Sequence, residues 1–211
     1  MALFHQSRFP GLWRVFQYWI GGTVDKRSLC VRHYDGRSSV LEVGCSLGNI
    51  SQAFRAYEGV RYTGVDVDRV VVEYARRTFA SRPNFAFVCE DLADLARPEG
   101  GWGYVLFAGL CHHLDDAECR RMLSVAARLV ADEGRLCVVD PLMPRSTDPW
   151  FVRQFVKLEQ GEFVRSGAAL RDLVESVPGL ELQSAEEELI GSSPFHWPVC
   201  ARFGVYSARP V

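Results

Sequence analysis

The sequence predicts an α/β fold in which a parallel sheet carries helices on both faces. Short apolar, β-branched runs alternate with stretches whose apolar residues recur at helical spacing. The strand-like runs are 40–43, 62–65, 85–89, 104–108 and 136–139, and the helical stretches between them are 50–57, 68–79 and 116–130. This alternation is typical of βαβ units. The length of 211 residues fits one domain with a full core.

The segments before and after this region do not continue the alternation of strands and helices. Within residues 11–20 the apolar side chains recur at helical spacing, and Gly21-Gly22 ends that helix. This helix either docks on the core or forms a lid over a ligand. Residues 140–149 contain three prolines and form a loop, which two helices follow at 150–158 and 166–177. Two further strands are expected at 180–190 and 199–207, and the connector 191–198 is too long for a tight hairpin.

The composition excludes several classes of protein. Lys plus Arg is 24 against 26 for Asp plus Glu, so there is no basic excess for nucleic acid or an anionic membrane surface. No apolar run approaches the roughly 20 residues of a membrane helix, and the N-terminus lacks a signal-peptide core. We therefore expect a cytoplasmic protein. The seven cysteines form no CxxC pair, which favours reduced thiols and no metal site.

The most informative segment combines a buried strand, a glycine turn and a helix start over residues 40–50. Gly44 and Gly48 let the backbone approach a ligand closely. Asp66 ends the next strand about 20 residues later, the separation at which an acidic residue meets ribose hydroxyls. The turn lacks the third glycine of the dinucleotide fingerprint, Gly-x-Gly-x-x-Gly. A nucleoside site without phosphates is therefore favoured over a dinucleotide site.

Five segments in this order resemble the motifs of class I S-adenosylmethionine-dependent methyltransferases, in particular a small stand-alone bacterial type. They are Val40-Leu-Glu-Val-Gly-Cys-Ser-Leu-Gly-Asn49, Gly64-Val-Asp66, Glu90-Asp91-Leu92, the LHHLDD-like Gly109-Leu-Cys-His-His-Leu-Asp-Asp116, and Gly134-Arg-Leu-Cys-Val-Val-Asp-Pro141. The resemblance implies a Rossmann-like fold with a seven-stranded, mostly parallel sheet, one antiparallel strand and helices on both faces. It also implies S-adenosyl-L-methionine as cofactor.

The resemblance assigns cofactor-binding roles residue by residue. The methionine part and the turn would be lined by Glu42, Gly44, Cys45, Ser46 and Gly48, the ribose by Asp66, the adenine by Val67, Asp91 and Leu92, and the sulfonium by Ala108 and Gly109. Ser46 departs from the many members that carry glycine at this position.

Three residues at strand ends are candidates for catalysis. His112 and His113 follow the fourth strand, and histidine titrates near neutral pH, so either could take a proton from the acceptor. The alternative is that one of them only shapes the loop. Asp140 ends the fifth strand, where it either assists deprotonation or organises the turn before Pro141.

Four residues are candidates for binding the acceptor. Tyr18 and Trp19 lie on the N-terminal helix, and Trp197 lies in the connector between the last two strands. Arg165 either grips an anionic acceptor or forms a surface ion pair with Glu159 or Glu162.

Together these features predict methyl transfer to an O, N or C atom of a small molecule, by a monomer or homodimer that binds neither nucleic acid nor membrane. The alternative is a protein of the same fold that binds S-adenosylmethionine without transferring its methyl group. We divide the domain 1–211 into an N-terminal helical lid at 1–30, a cofactor-binding core at 39–141, a helical acceptor-side insertion at 142–178 and a strand pair at 179–211.

Overall fold

A seven-stranded sheet organises the molecule. The computed structural model describes residues 10–19, 23–36, 38–156 and 161–211. The strands are β1 (Val40–Val43), β2 (Tyr62–Asp66), β3 (Phe85–Cys89), β4 (Trp102–Ala108), β5 (Val130–Pro141), β6 (Leu180–Gly191) and β7 (Val199–Pro210). They are arranged in the order β3-β2-β1-β4-β5-β7-β6.

The direction of the strands brings the predicted motifs to one edge. Strands β1 to β5 pair in parallel, whereas β7 pairs antiparallel with both β5 and β6. This confirms a mostly parallel, seven-stranded sheet with one antiparallel strand. Since β1, β2, β3, β4 and β5 run the same way, the residues that follow them meet at the same carboxyl edge.

Helices cover both faces of the sheet, as predicted. They are α1 (Pro10–Trp19), α2 (Thr23–Val31), α3 (Arg69–Thr78), α4 (Asp116–Leu129), α5 (Trp150–Phe155) and α6 (Gly167–Glu175). One core cluster packs α2 and α3 against one face of the sheet, and a second packs α4 and α6 against the other. Neighbouring β1 residues divide between them, because Val40 enters the first cluster and Leu41 the second.

Two predicted elements differ from the structure. The helix expected at 50–57 is a 3₁₀ helix, Ser51–Ala56, whose preceding residue Ile50 provides no side-chain cap. No loop separates α4 from its strand, although the helix was expected at 116–130 and the strand at 136–139. Val130 caps α4 in an extended conformation and already pairs with Trp102, so β5 begins without a loop, and a register shift between Trp102 and Tyr104 accommodates the change.

The predicted flanking elements are present, whereas helix α2 (Thr23–Val31) was not predicted. Helix α1 matches the expected 11–20 up to Trp19, and Ile20 lies outside the described residues. Helix α5 is shorter than the expected 150–158, of which 157 and 158 also lie outside. The two C-terminal strands extend slightly beyond their predicted ends. None of the helices in the described part has the length and apolarity needed to cross a bilayer.

Candidate functional site

The turn after β1 is fastened to β2 by backbone hydrogen bonds. The amides of Gly44 and Cys45 both donate to the carbonyl of Val65, over 2.8 and 3.1 Å. Gly44 and Gly48 have φ values of +69° and +76°, and Ser46 also has a positive φ of 48°. This is the left-handed region, which glycine adopts at little cost and most other residues avoid. Ser46 therefore has the backbone conformation of the turn without being a glycine. The thiol of Cys45 is buried and packs beside Gly64. The backbone of Cys45, and not its side chain, is therefore the part available at the carboxyl edge of the sheet.

Asp66 ends β2 with its carboxylate held by two backbone amides. Ser46 N donates to Oδ2 and Asp68 N to Oδ1, each over 2.9 Å. Burial raises the pKa of Asp66, while these two amides act in the opposite direction. Each carboxylate oxygen has a second lone pair. The partly exposed group can therefore accept a further hydrogen bond from a diol at the edge of the sheet.

Glu42 lies beneath this turn and is only 1% exposed. Its Oε2 accepts a hydrogen bond from Ser51 Oγ over 3.2 Å and contacts the hydroxyl of Tyr62. Burial raises the pKa of Glu42 to about 8, although Lys26 opposes this shift. The side chain is therefore mostly protonated at neutral pH. It is a buried acid that a nearby cation can ionise.

The residues predicted to flank adenine lie at the ends of β2 and β3. Val67 is 70% exposed, and Leu92 is buried. Asp91 is exposed, and its Oδ1 accepts a hydrogen bond from Ala93 N over 2.8 Å. An exposed apolar side chain and a fixed carboxylate thus face solvent at neighbouring strand ends.

The exit of β4 brings a histidine and an aspartate together. His112 lies in the 3₁₀ helix Cys111–His113 and is 4% exposed. Its Nδ1 is 3.2 Å from Asp140 Oδ1, which also accepts the amide of Cys111 over 3.1 Å. A Cβ built on Gly109 would lie 3.7 Å from His112 Cε1, so the imidazole borders the end of β4. The sequence places both residues at strand ends, and the structure pairs them.

His113 has a different position from His112. It is exposed, and its ring centroid is 4.0 Å from that of His112. The structure thus distinguishes a buried histidine oriented by Asp140 from a neighbouring histidine at the surface.

The position of Arg165 does not fit the hypothesis that this residue binds an anionic acceptor. The residue is only 9% exposed. Its guanidinium donates to Asp116 Oδ1 and to the carbonyls of Cys111, Leu114 and Phe163, over 2.7 to 3.2 Å. Since these protein atoms occupy its donors, we assign Arg165 to holding the loop after β4. Its described ion pair is with Asp116 rather than Glu162, and Glu159 lies outside the described residues.

Tyr18 and Trp19 border a cavity of about 440 Å³ between α1, α2, α3 and the turn after β1, which Asn49 and Gln52 also line. His112 and Asp140 are not among its lining residues. Trp197 is 74% exposed in the connector between β6 and β7. Contact of these three aromatic residues with the acceptor stays a prediction.

Lys26 lies beside the end of β4 and was not among the predicted site residues. It lies on α2, and a Cβ built on Gly109 would collide with its Nζ. The same ammonium is 5.5 Å from the ring centroid of Phe203 on β7. Lys26 is 83 residues from Gly109 in the sequence, and no local pattern indicates that the two meet.

These residues fit a nucleoside cofactor with an amino acid tail. Three features lie at neighbouring strand ends: the glycine turn, the partly exposed Asp66, and Gly109, which has no side chain. Beside them, Lys26 carries an ammonium group and Glu42 a carboxyl group. Among the described residues, no group of three or more His, Cys, Asp or Glu side chains could hold a metal ion.

Comparisons with known proteins agree with this assignment. Residues 40–134 match a family model described as a methyltransferase domain. No curated protein matches the chain.

Several solved structures share the fold. The mitomycin 7-O-methyltransferase MmcR is 21% identical with a TM-score of 0.68, over 89% of this chain and 54% of that one. Human N-acetylserotonin methyltransferase, solved with S-adenosylmethionine, is 17% identical with a TM-score of 0.70, over 97% and 55%. The [4+2]-cyclase SpnF is 16% identical with a TM-score of 0.66, over 88% and 80%.

This chain therefore spans little more than half the length of the first two proteins, and identities this low establish the fold alone. The fold and the family match support the same conclusion as the site. Residues 40–134 thus match a methyltransferase domain, within a chain that has the fold of S-adenosylmethionine-dependent methyltransferases.

Proposed function

We propose that this chain transfers the methyl group of S-adenosylmethionine to a small molecule, and that His112 takes the proton which the acceptor loses. The contact between His112 and Asp140 carries the proposal. An Nδ1–H that donates to a carboxylate favours the tautomer whose lone pair is on Nε2, and it stabilises the imidazolium that forms on protonation. The arrangement suits an acceptor with an O–H, N–H or C–H group.

When bound, the cofactor supplies a methyl group activated by a positively charged sulfur. We assign its ribose to Asp66, its adenine to Val67, Asp91 and Leu92, its sulfonium to Ala108 and Gly109, and its methionine part to Glu42 and the turn formed by Gly44, Cys45, Ser46 and Gly48. The protein has to align the acceptor with the methyl group and exclude water. Such positioning can lower the activation free energy of the transfer by several kcal/mol.

An exposed aromatic residue bonded to the backbone of His112 supports an apolar acceptor. The amide of Phe163 donates to the carbonyl of His112 over 3.0 Å, and the Phe163 side chain is exposed. We assign Phe163 to the acceptor site in place of Arg165. The exposed side chains of Met143, Trp150 and Phe151 in the segment before it are further candidates for that site. Tyr18, Trp19 and Trp197 remain candidates for it.

The test compares His112→Ala with His113→Ala. Transfer of a radiolabelled methyl group to a pool of small aromatic and aliphatic hydroxy and amino compounds identifies an acceptor. With that acceptor, we expect His112→Ala to lower kcat about 100-fold or more, because a general base is lost. Its affinity for S-adenosylhomocysteine, measured by calorimetry, should stay within about twofold. His113→Ala, the exposed neighbour, should retain most of the activity.

A proportional loss of turnover and cofactor affinity in His112→Ala would assign that histidine a structural role instead. Replacing Asp140 by Asn should reproduce part of the loss in kcat, because the tautomer of His112 is then less well defined.

A second function is favoured by the similarity to SpnF, whose name describes a cyclase. This chain would then bind S-adenosylmethionine without transferring its methyl group. S-adenosylmethionine that stays intact after long incubation with the acceptor pool would support this alternative over methyl transfer.

We further propose that the protein works in the cytoplasm, as a monomer or homodimer, without binding nucleic acid or membrane. The near balance of charge supports this proposal. So do the small-molecule substrates named for two structural neighbours.

A further inference from the structure

Helix α2 brings the ammonium of Lys26 to the carboxyl edge of the sheet. Lys26 Nζ occupies the space that a side chain on Gly109 would need. Gly109 has a φ of +69°, and its amide donates to Val139 O over 2.8 Å, so the end of β4 is fixed where the ammonium reaches it. The same ammonium lies over the ring of Phe203, where a cation–π contact stabilises it.

The residues on either side of Lys26 fix the helix in place. Asp25 Oδ2 accepts the amide of Gly191 over 2.8 Å, and Asp25 also contacts His196. Arg27 Nε donates to the carbonyl of Asn49 over 2.7 Å. Helix α2 is thus tied to the connector after β6 and to the turn after β1. Lys26 reaches the edge of the sheet from an anchored backbone.

Lys26 also acts on the buried acid of the site. It favours the ionised form of Glu42, the carboxyl group beneath the turn after β1. A cation and an ionisable acid therefore flank the same region at the ends of β1 and β4. An amino acid has the complementary charges, an ammonium and a carboxylate on one carbon atom.

We infer that Lys26 binds the α-carboxylate at the amino acid end of the cofactor and makes the site select the intact amino acid over its decarboxylated form. This inference rests on the proposed position of the cofactor at the carboxyl edge. A cation beside a sulfonium and an α-ammonium is unfavourable unless an anion lies between them. The α-carboxylate supplies that anion.

The test measures two ligands against three variants by calorimetry. The ligands are S-adenosylhomocysteine and its decarboxylated analogue, which lacks only the α-carboxylate. For the wild type, we expect S-adenosylhomocysteine to bind at least about tenfold more tightly, as a charged hydrogen bond is worth a factor of this order. In Lys26→Met this ratio should fall below about threefold. Lys26→Arg should restore most of it.

The control variant is Arg77→Met, which makes the same charge change on α3, where the side chain is 77% exposed. It should keep the wild-type ratio. Thermal unfolding of each variant separates a loss of folding from a loss of contact.

Each outcome has a distinct meaning. If the ratio persists in Lys26→Met, or if that variant weakens both ligands equally, Lys26 does not recognise the carboxylate and the inference is wrong. An increase in acceptor KM with unchanged affinity for S-adenosylhomocysteine would assign Lys26 to an anionic acceptor instead, which also overturns it. If the wild type binds neither ligand, the proposed function itself fails.

Discussion

Burial controls the ionisation of Glu42. Its pKa in the folded protein is about 8, against an ordinary value of 4.5. A group whose pKa is raised by folding contributes stability that is fully present below the unfolded pKa and is lost as pH rises through the folded pKa. We therefore expect this carboxyl group to destabilise the free protein progressively between about pH 4.5 and pH 8.

Glu42→Gln removes this titration while keeping the shape of the side chain. Thermal unfolding from pH 5 to pH 8 should show a smaller decrease in Tm for this variant than for the wild type. The exposed Glu133→Gln is the control and should follow the wild type. Parallel pH profiles for Glu42→Gln and the wild type would contradict the assignment.

The positions of single residues could be predicted where the residue directly follows a predicted strand. Asp66, His112 and Asp140 each follow a recognisable apolar run, so their meeting at one edge follows from the parallel strands. Lys26 and Arg165 were not predictable in this way. Their positions depend on how α2 and the segment around residue 165 pack on the sheet, and this packing is not encoded within a few residues of either side chain.

At the scale of elements, Arg165 joins the loop after β4 to the start of α4. Its buried guanidinium bridges Asp116 and three backbone carbonyls. Arg165→Met should lower the free energy of unfolding by about 1–3 kcal/mol, because it leaves the buried carbonyl of Cys111 without its donor, whereas Asp116 is 72% exposed and can be solvated.

The matched variant is Arg171→Met on α6, whose side chain is 55% exposed and pairs with Glu175. It should cost less than about 1 kcal/mol. Urea unfolding followed by circular dichroism measures both changes. Equal values for the two variants would show that the Arg165 network is not a stabilising one.

The sequence predicted the existence of nearly every helix and strand, and it failed where chain geometry overrides composition. Glu133-Gly134 has the composition of a turn. However, pairing of Val130 with Trp102 starts β5 earlier, and Gly134 fits there because a Cβ would lie 2.8 Å from the carbonyl of Trp102. The residues after the glycine turn form a short 3₁₀ helix instead of the expected α-helix.

For the whole molecule, the proposed site predicts stabilisation by the product of the cofactor. S-adenosylhomocysteine at about 100 times its Kd should add about 2.7 kcal/mol to the free energy of unfolding. For a chain of this size, that corresponds to an increase in Tm of about 5–10 °C. NADH at the same concentration should have little effect, because the turn lacks the third glycine of a dinucleotide site.

Asp66→Asn tests whether the ligand that raises Tm binds with its ribose at Asp66. It keeps the shape of the side chain but removes the charge that would hold the ribose diol, so the increase in Tm at a fixed ligand concentration should shrink. An exposed carboxylate away from the turn, Asp94→Asn, should retain the full shift. Full stabilisation of Asp66→Asn would place the nucleoside elsewhere.

The layering of the whole molecule followed from the alternating pattern, and the seven strands with one antiparallel member followed from the resemblance, whereas the strand order was not predicted. The identity of the acceptor did not follow from either, because it depends on exposed side chains such as Met143 and Phe163. These side chains belong to a segment without a regular repeat, so their positions cannot be predicted from a local pattern.

The direct junction of α4 and β5 has a consequence for the spacing of His112 and Asp140, the pair that we propose to act on the acceptor. His112 precedes α4 by a few residues, and Asp140 lies near the end of β5, so a helix and a strand joined without a linker connect the two. The register shift that follows places four residues of β5, 131–134, against the single residue Gly103 of β4. A residue inserted in this bulge could be absorbed there, whereas one inserted between Arg135 and Asp140 would shift the paired strand by one position and move its side chains to the other face. The paired part of β5, and not the junction, therefore fixes where Asp140 stands relative to His112.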